Sequence, residues 1–232
     1  MNNFKDEEIL ITKARSFDQV SRRKFLGYAG ATSGLLILGS ACKDDDPANT
    51  NDGVNLGSGD IGILNYAYAL EQLEAAFYKR VIDSPYAGIT TSETSLLTDI
   101  RDHELIHREF FKNALGTSAI QNLEVDFSTI NFSQRDSVLA TAKAFEDLGV
   151  SAYNGAGKLI VSIDYLLLAG KIVSVEARHA AYIRDLISNG SFADSSTVDA
   201  NGLDLQRTPN EVLAIADKYI KTKINASNLP TQ

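Results

Sequence analysis

Two short stretches of this chain pair a carboxylate with an imidazole at the same spacing. Glu104 and His107 stand three apart in Asp102-His103-Glu104-Leu105-Ile106-His107, and so do Glu176 and His179 in Val175-Glu176-Ala177-Arg178-His179. On a helix, residues three apart share a face, so each pair points one way. Around Glu176 that face continues through Ile172, Val173, Ala180 and Ile183, all apolar. A carboxylate and an imidazole aimed into an apolar core are costly unless something pairs with them. A metal ion takes carboxylate oxygen and neutral imidazole nitrogen together. The chain holds three histidines, His103, His107 and His179, and two of them carry a Glu three residues upstream.

The elements that must position these pairs follow from hydrophobic periodicity. From Ile61 to Ile82, Leu64, Tyr68, Glu71, Ala75, Tyr78 and Ile82 form one helical stripe. Asp83-Ser84-Pro85-Tyr86-Ala87-Gly88 is turn chemistry. Ser92 or Thr91 is placed to cap a second helix from Glu93 to Leu115, which carries Glu104 and His107. Glu71 and Glu104 then both lie roughly 16 Å from the hairpin end, at about 1.5 Å per residue. An antiparallel pair brings them to one level. Residues 116–132 show no stripe and read as a long crossover. A third helix is expected from Gln134 to Ile160, capped by Ser133 and carrying Glu146 and Tyr153. A fourth is expected from Asp164 to Ser188, carrying Glu176 and His179. After a polar loop, Thr208-Pro209-Asn210-Glu211 opens a short last helix, with Pro at its first turn.

The two halves repeat. Glu71 and Tyr78 are seven apart, as are Glu146 and Tyr153, and each Glu-x6-Tyr is followed by a Glu-x-x-His helix. Two such hairpins make an all-α four-helix bundle with approximate two-fold symmetry. Four carboxylates and two imidazoles fall in one central layer. Glu74 shares a face with Glu71 and is an alternative or additional ligand. Tyr78 and Tyr153 are expected to pack around the layer. His103 lies beside the inward face of its helix, and Arg178 reads as a rim ion pair.

This pattern resembles the ferritin-like di-iron and di-manganese carboxylate superfamily over residues 61–188. There, two helices each give a Glu and the other two each give a Glu-x-x-His. Leu70-Glu71-Gln72-Leu73-Glu74-Ala75-Ala76-Phe77-Tyr78 and Val175-Glu176-Ala177-Arg178-His179 are similar to ferritin-like-domain proteins related to plant desiccation-associated proteins. The resemblance implies Glu71, Glu104, His107, Glu146, Glu176 and His179 as metal ligands, with Glu104 and Glu176 bridging two ions. A carboxylate-rich set with two histidines favours iron or manganese over copper. The expected activity is that of a di-metal oxidoreductase acting with dioxygen or peroxide. The competing expectation is a lipid-anchored scaffold that keeps the bundle without metal chemistry. A rubrerythrin-like relay in one chain is not expected, because its iron site needs four cysteines and Cys42 is alone.

The chain's 232 residues suit one domain with appendages. A net charge of −8 disfavours a nucleic-acid partner. Residues 1–42 resemble an export signal: Ser21-Arg22-Arg23-Lys24-Phe25-Leu26 is a twin-arginine pattern, followed by an apolar run to Ala41. Leu38-Gly39-Ser40-Ala41-Cys42 resembles a lipoprotein cleavage site, which would make Cys42 the lipidated N-terminus. Lys43-Asp44-Asp45-Asp46 resembles a surface-export signal of lipoproteins, so the chain is expected in the bacterial envelope, at the outer-membrane surface. Residues 43–60 are Asp-, Asn- and Gly-rich and are expected to form a flexible tether.

Overall fold

The computed structural model describes residues 53–231. The export signal, Cys42 and most of the expected tether lie outside the described residues. Four long helices dominate: α1 (Gly59–Asp83), α2 (Thr91–Leu115), α3 (Arg135–Gly157) and α4 (Ile163–Ile187). A short helix α5 (Pro209–Ala216) follows, and strands β1 (Val54–Asn55) and β2 (Ile224–Asn225) pair in parallel. Helix α1 packs along α2, and α3 along α4. The two hairpins join through α1 and α3, after the long crossover that the absence of a stripe in 116–132 predicts. Among the described residues, no helix is long and apolar enough to cross a membrane.

Local chemistry explains where the helices begin. Thr90 caps α2 in a reciprocal box: its hydroxyl accepts from the Glu93 N–H, and the Glu93 carboxylate accepts from the Thr90 N–H. The cap thus falls one residue before the expected Thr91 or Ser92, because only Thr90 has a glutamate three residues on. Thr208 and Glu211 repeat the device at α5, with Pro209 in the first turn. Ser162 caps α4. At α3 the expectation fails: Gln134 holds the N-cap without a side-chain bond, and Ser133 bonds Asn131 instead.

Helix α1 is buried on nearly every face, from Gly62 through Val81. A helix covered all round must satisfy its polar residues internally. Asn65 donates to the Leu56 and Ser118 carbonyls at 3.0 and 2.9 Å and accepts from the Ile120 N–H at 2.9 Å. Gln72 accepts from the Leu123 N–H at 2.8 Å. These side chains fasten the crossover to α1. The aromatic core lies against them: Phe77 meets Tyr78, Phe127, Phe132 and Phe145. The bundle is tied at both ends. Asp60 accepts from the N–H groups of Val161 and Ser162 at 2.8 Å each. Arg135 donates to Glu93 at 2.6 Å and to the Leu186 carbonyl at 2.9 Å.

Residues 53–58, read from sequence as the end of the tether, belong to the domain instead. Strand β1 pairs with β2, and Leu56 is fully buried. That burial is worth about 1.5–3 kcal/mol, which composition alone conceals because one leucine sits among polar neighbours. The C-terminal segment packs as expected, with Val212 and Ala216 fully buried and Tyr219 edge-on to Phe145 at 4.7 Å.

Candidate metal centre

Glu71 on α1, Glu104 and His107 on α2, Glu146 on α3, and Glu176 and His179 on α4 meet in one layer of the bundle. All four glutamates are fully buried, and the histidines are 9 % and 5 % exposed. The ligand-type atoms form two overlapping groups. Glu71, Glu104, His107 and Glu176 lie within 4.8 Å of one another, and so do Glu104, Glu146, Glu176 and His179. Glu104 and Glu176 belong to both. Antiparallel pairing brings Glu71 level with Glu104, as counting from the turn predicts.

The Nδ1 atoms of both histidines face this layer. His107 Nδ1 is 2.8 Å from Glu176 Oε1 and 3.5 Å from Glu71 Oε2. His179 Nδ1 is 2.9 Å from Glu104 Oε1 and 3.4 Å from Glu146 Oε2. These contacts are short but not aligned as hydrogen bonds. Eight atoms are buried without a hydrogen-bond partner: Glu71 Oε2, both oxygens of Glu104, His107 Nδ1, Glu146 Oε2, both oxygens of Glu176, and His179 Nδ1. Buried polar atoms rarely stay unpaired, and eight converging in one layer are suited to holding metal ions.

The remaining oxygens of Glu71 and Glu146 are held by a crossed pair of tyrosines. Tyr78, on the helix of Glu71, donates to Glu146 Oε1 at 2.5 Å. Tyr153, on the helix of Glu146, donates to Glu71 Oε1. Burial first, and the facing glutamate second, push both phenols well above their usual range, so they stay neutral donors. Tyr78→Phe or Tyr153→Phe should therefore weaken metal binding 10–100-fold, the usual cost of losing an outer-shell partner. Equilibrium dialysis reads this directly, and unchanged affinity in both variants would remove the tyrosines from the site.

Glu74 is 4 % exposed and joins neither group. Its carboxylate lies against Gly149, where an added Cβ would sit 3.2 Å from Oε1. Gly149 follows Glu146 by three residues, as Glu74 follows Glu71. One copy of the repeat supplies the carboxylate and the other the space for it. Burial, then repulsion from Glu104, raises Glu74 well above the usual carboxylate range.

His103 and Arg184 gain their meaning only from the fold. His103 Nδ1 lies 2.8 Å from His179 Nε2, on the side of that ring away from the carboxylates. Arg178 is exposed, with no ion pair among the described residues. The ion pair belongs one turn and a half further along: Arg184 is 3 % exposed and grips Asp147 with two 2.8 Å bonds, and also Asp194 and Ser196. This pins the 190s loop to α3 and α4. The available signal in the sequence was an arginine four residues after Ala180, on the apolar face of the helix.

The electrostatics of the metal-free layer are those of carboxylates sharing protons with imidazoles. Burial raises Glu71, and raises Glu104 further with help from Glu176. Burial lifts Glu146 to about 7 despite the nearby His179. Burial also acts on Glu176, but contact with His107 and His179 outweighs it and holds Glu176 down at about 2. For the histidines, burial lowers and the surrounding glutamates raise; the glutamates win, pushing His107 up to about 12 and His179 higher still. A pH profile follows. Glu146 stabilises the fold fully below its usual 4.5, and that contribution is lost as pH rises through about 7. The histidine contribution is full below 6.5 and lost as pH rises through His107's value of about 12. Glu176 contributes above 4.5 and loses its share as pH falls through about 2. Chelator-treated protein should melt highest near pH 4.5, where Glu176 contributes fully and the Glu146 contribution begins to be lost, with the midpoint falling toward pH 9. Calorimetry at stepped pH checks this; a midpoint rising from pH 5 to 9 would contradict it.

A bundle of two helical hairpins joined by one long crossover, with a doubled Glu-x-x-His layer at its centre, is the architecture of a ferritin-like protein. A family model for the ferritin-like domain matches residues 59–189, which covers all four long helices. The chain belongs to the ferritin-like domain family. Comparison of the whole chain with curated proteins finds no match.

Proposed function

We propose that this protein holds two iron or manganese ions and uses them in a redox reaction with dioxygen or peroxide. The observation that carries the reading is the eight unpaired buried atoms that point into one layer. Glu71 and His107 would serve one ion and Glu146 and His179 the other, with Glu104 and Glu176 shared. Two such ions, each able to change oxidation state by one, supply the two electrons that reduction of peroxide requires. The chain's own residues supply the surroundings. Tyr78 and Tyr153 orient Glu146 and Glu71, and the packed layer of α1 to α4 keeps bulk water from the centre. Export by the twin-arginine route, with lipid attachment at Cys42, completes the proposal, because that route carries folded proteins with cofactors already loaded.

The test is metal analysis of the chain produced in iron- or manganese-rich medium, followed by ferrous or peroxide turnover. The reading predicts two ions per chain and turnover that disappears in His179→Ala. A metal-free protein of full thermal stability would overturn it and support the scaffold reading. For the anchor, Cys42→Ser should move the chain from the membrane fraction to the soluble fraction; an unchanged distribution would remove the lipid from the proposal.

A further inference from the structure

The repeat that builds the centre is broken at one place that bears on it. Aligning Glu104 with Glu176 sets His107 against His179 and His103 against Val175. His103 reaches across from α2 to α4, where its Nδ1 lies 2.8 Å from His179 Nε2. The two rings are nearly coplanar, with 8° between planes and 5.1 Å between centroids, so they meet edge to edge. Among the described residues, no side chain is hydrogen-bonded to Nε2 of His107. The two imidazoles of the centre therefore differ in what stands behind them.

The two nitrogens of an imidazole lie on opposite sides of the ring. His179 turns Nδ1 to Glu104 and Glu146 and Nε2 to His103. To ligate a cation, Nδ1 must carry a lone pair, which places the ring proton on Nε2. His103 Nδ1 is there to accept it, which leaves the proton of His103 itself on Nε2. That hydrogen bond fixes both the tautomer and the plane of His179. His107 receives neither constraint from the protein, and must select its tautomer and orientation when an ion arrives. A ligand held in its binding form pays less on binding.

We infer that His103 is a positioning residue that makes the two metal positions unequal, the one at Glu104, Glu146, Glu176 and His179 filling before the one at Glu71, Glu104, His107 and Glu176. The inference rests on the metal reading above. His103 does not ligate this centre itself: it lies behind the His179 ring, away from the carboxylates.

The experiment is calorimetric titration of the chelator-treated full chain with Mn²⁺, in the wild type and two variants. His103→Val installs the residue that the other half of the repeat carries. His103→Asn keeps an acceptor where Nδ1 stood. The wild type should bind two ions in steps about 10–100-fold apart, the range by which outer-shell partners alter affinity. His103→Val should weaken the tighter step by that factor and bring the two steps together. His103→Asn should restore most of the separation. His103 is exposed, so the metal-free variants should melt with the wild type. Equal wild-type affinities at the two positions, or a separation that survives His103→Val, would overturn the inference while leaving the metal reading intact. No binding by the wild type would overturn both.

Discussion

On the proposed two-ion reading, replacing Glu104 or Glu176 by Gln should strip both ions from the protein, whereas replacing Glu71 or Glu146 should strip one. The difference follows from membership of the two ligand groups: Glu104 and Glu176 are in both, Glu71 only in the one with His107, and Glu146 only in the one with His179. Gln keeps the volume and removes the charge, so the packing of the layer survives. A divalent ion facing one carboxylate fewer loses far more than the 10–100-fold attached to an outer partner. The variants should nevertheless fold. Glu104 is fully buried, and burial raises it well above the usual carboxylate range, so in metal-free protein its charge costs stability. Metal-free Glu104→Gln should therefore melt at or above the wild type. Metal content per folded chain, by elemental analysis after desalting, gives the answer. Glu71→Gln losing as many ions as Glu176→Gln would show that the layer does not divide into two positions.

Gly155→Ala should cost about 3 kcal/mol or more without touching metal content. A Cβ at this helical position would fall 1.7 Å from the carbonyl oxygen of Arg207, and 2.6 Å from its carbon. The obstacle is backbone, so no rotamer change relieves it. The 205–208 segment must move away from α3, which breaks the Arg207 N–H bond to the Ser151 carbonyl and the guanidinium bond to the Ser151 hydroxyl. Overpacking costs about 1–3 kcal/mol where side chains can adjust, and more where they cannot. For a domain of this size, about 3 kcal/mol lowers the melting point by roughly 6–12 °C. Gly155 lies nine residues beyond Glu146 on α3, so the ligand layer should keep its ions. A melting point within 2 °C of wild type, on the order of 1 kcal/mol or less, would mean that this crossing is loose.

Much of the centre was legible in the residues because helical geometry is local. A period of 3.6 places Glu104 with His107, and Glu176 with His179, on single faces whatever the rest of the chain does. Counting along rods of constant rise places Glu71 level with Glu104. The matching Glu-x6-Tyr units mark two hairpins, and the family match spans all four helices so expected. The N-caps were read less well. Thr90 and Gln134 stand where Thr91 or Ser92 and Ser133 were expected, because a cap depends on which hydroxyl can find a reciprocal partner or a free N–H.

By itself, then, the sequence determined the helices, the layer and the chemistry of its side chains. Only the tertiary structure decided how those side chains are shared. Tyr78 supports the glutamate 68 residues away rather than the one on its own helix, and Tyr153 does the same across 82 residues. His103 stands behind His179 and not behind His107. Arg184 pins a loop, and Leu56 closes the base of the bundle from what composition marks as a tether. The physical reason is one throughout. Periodicity gives the direction and height of a side chain on its own rod. What it meets depends on the rotation and offset of the rod opposite, and those are settled by packing of the whole core.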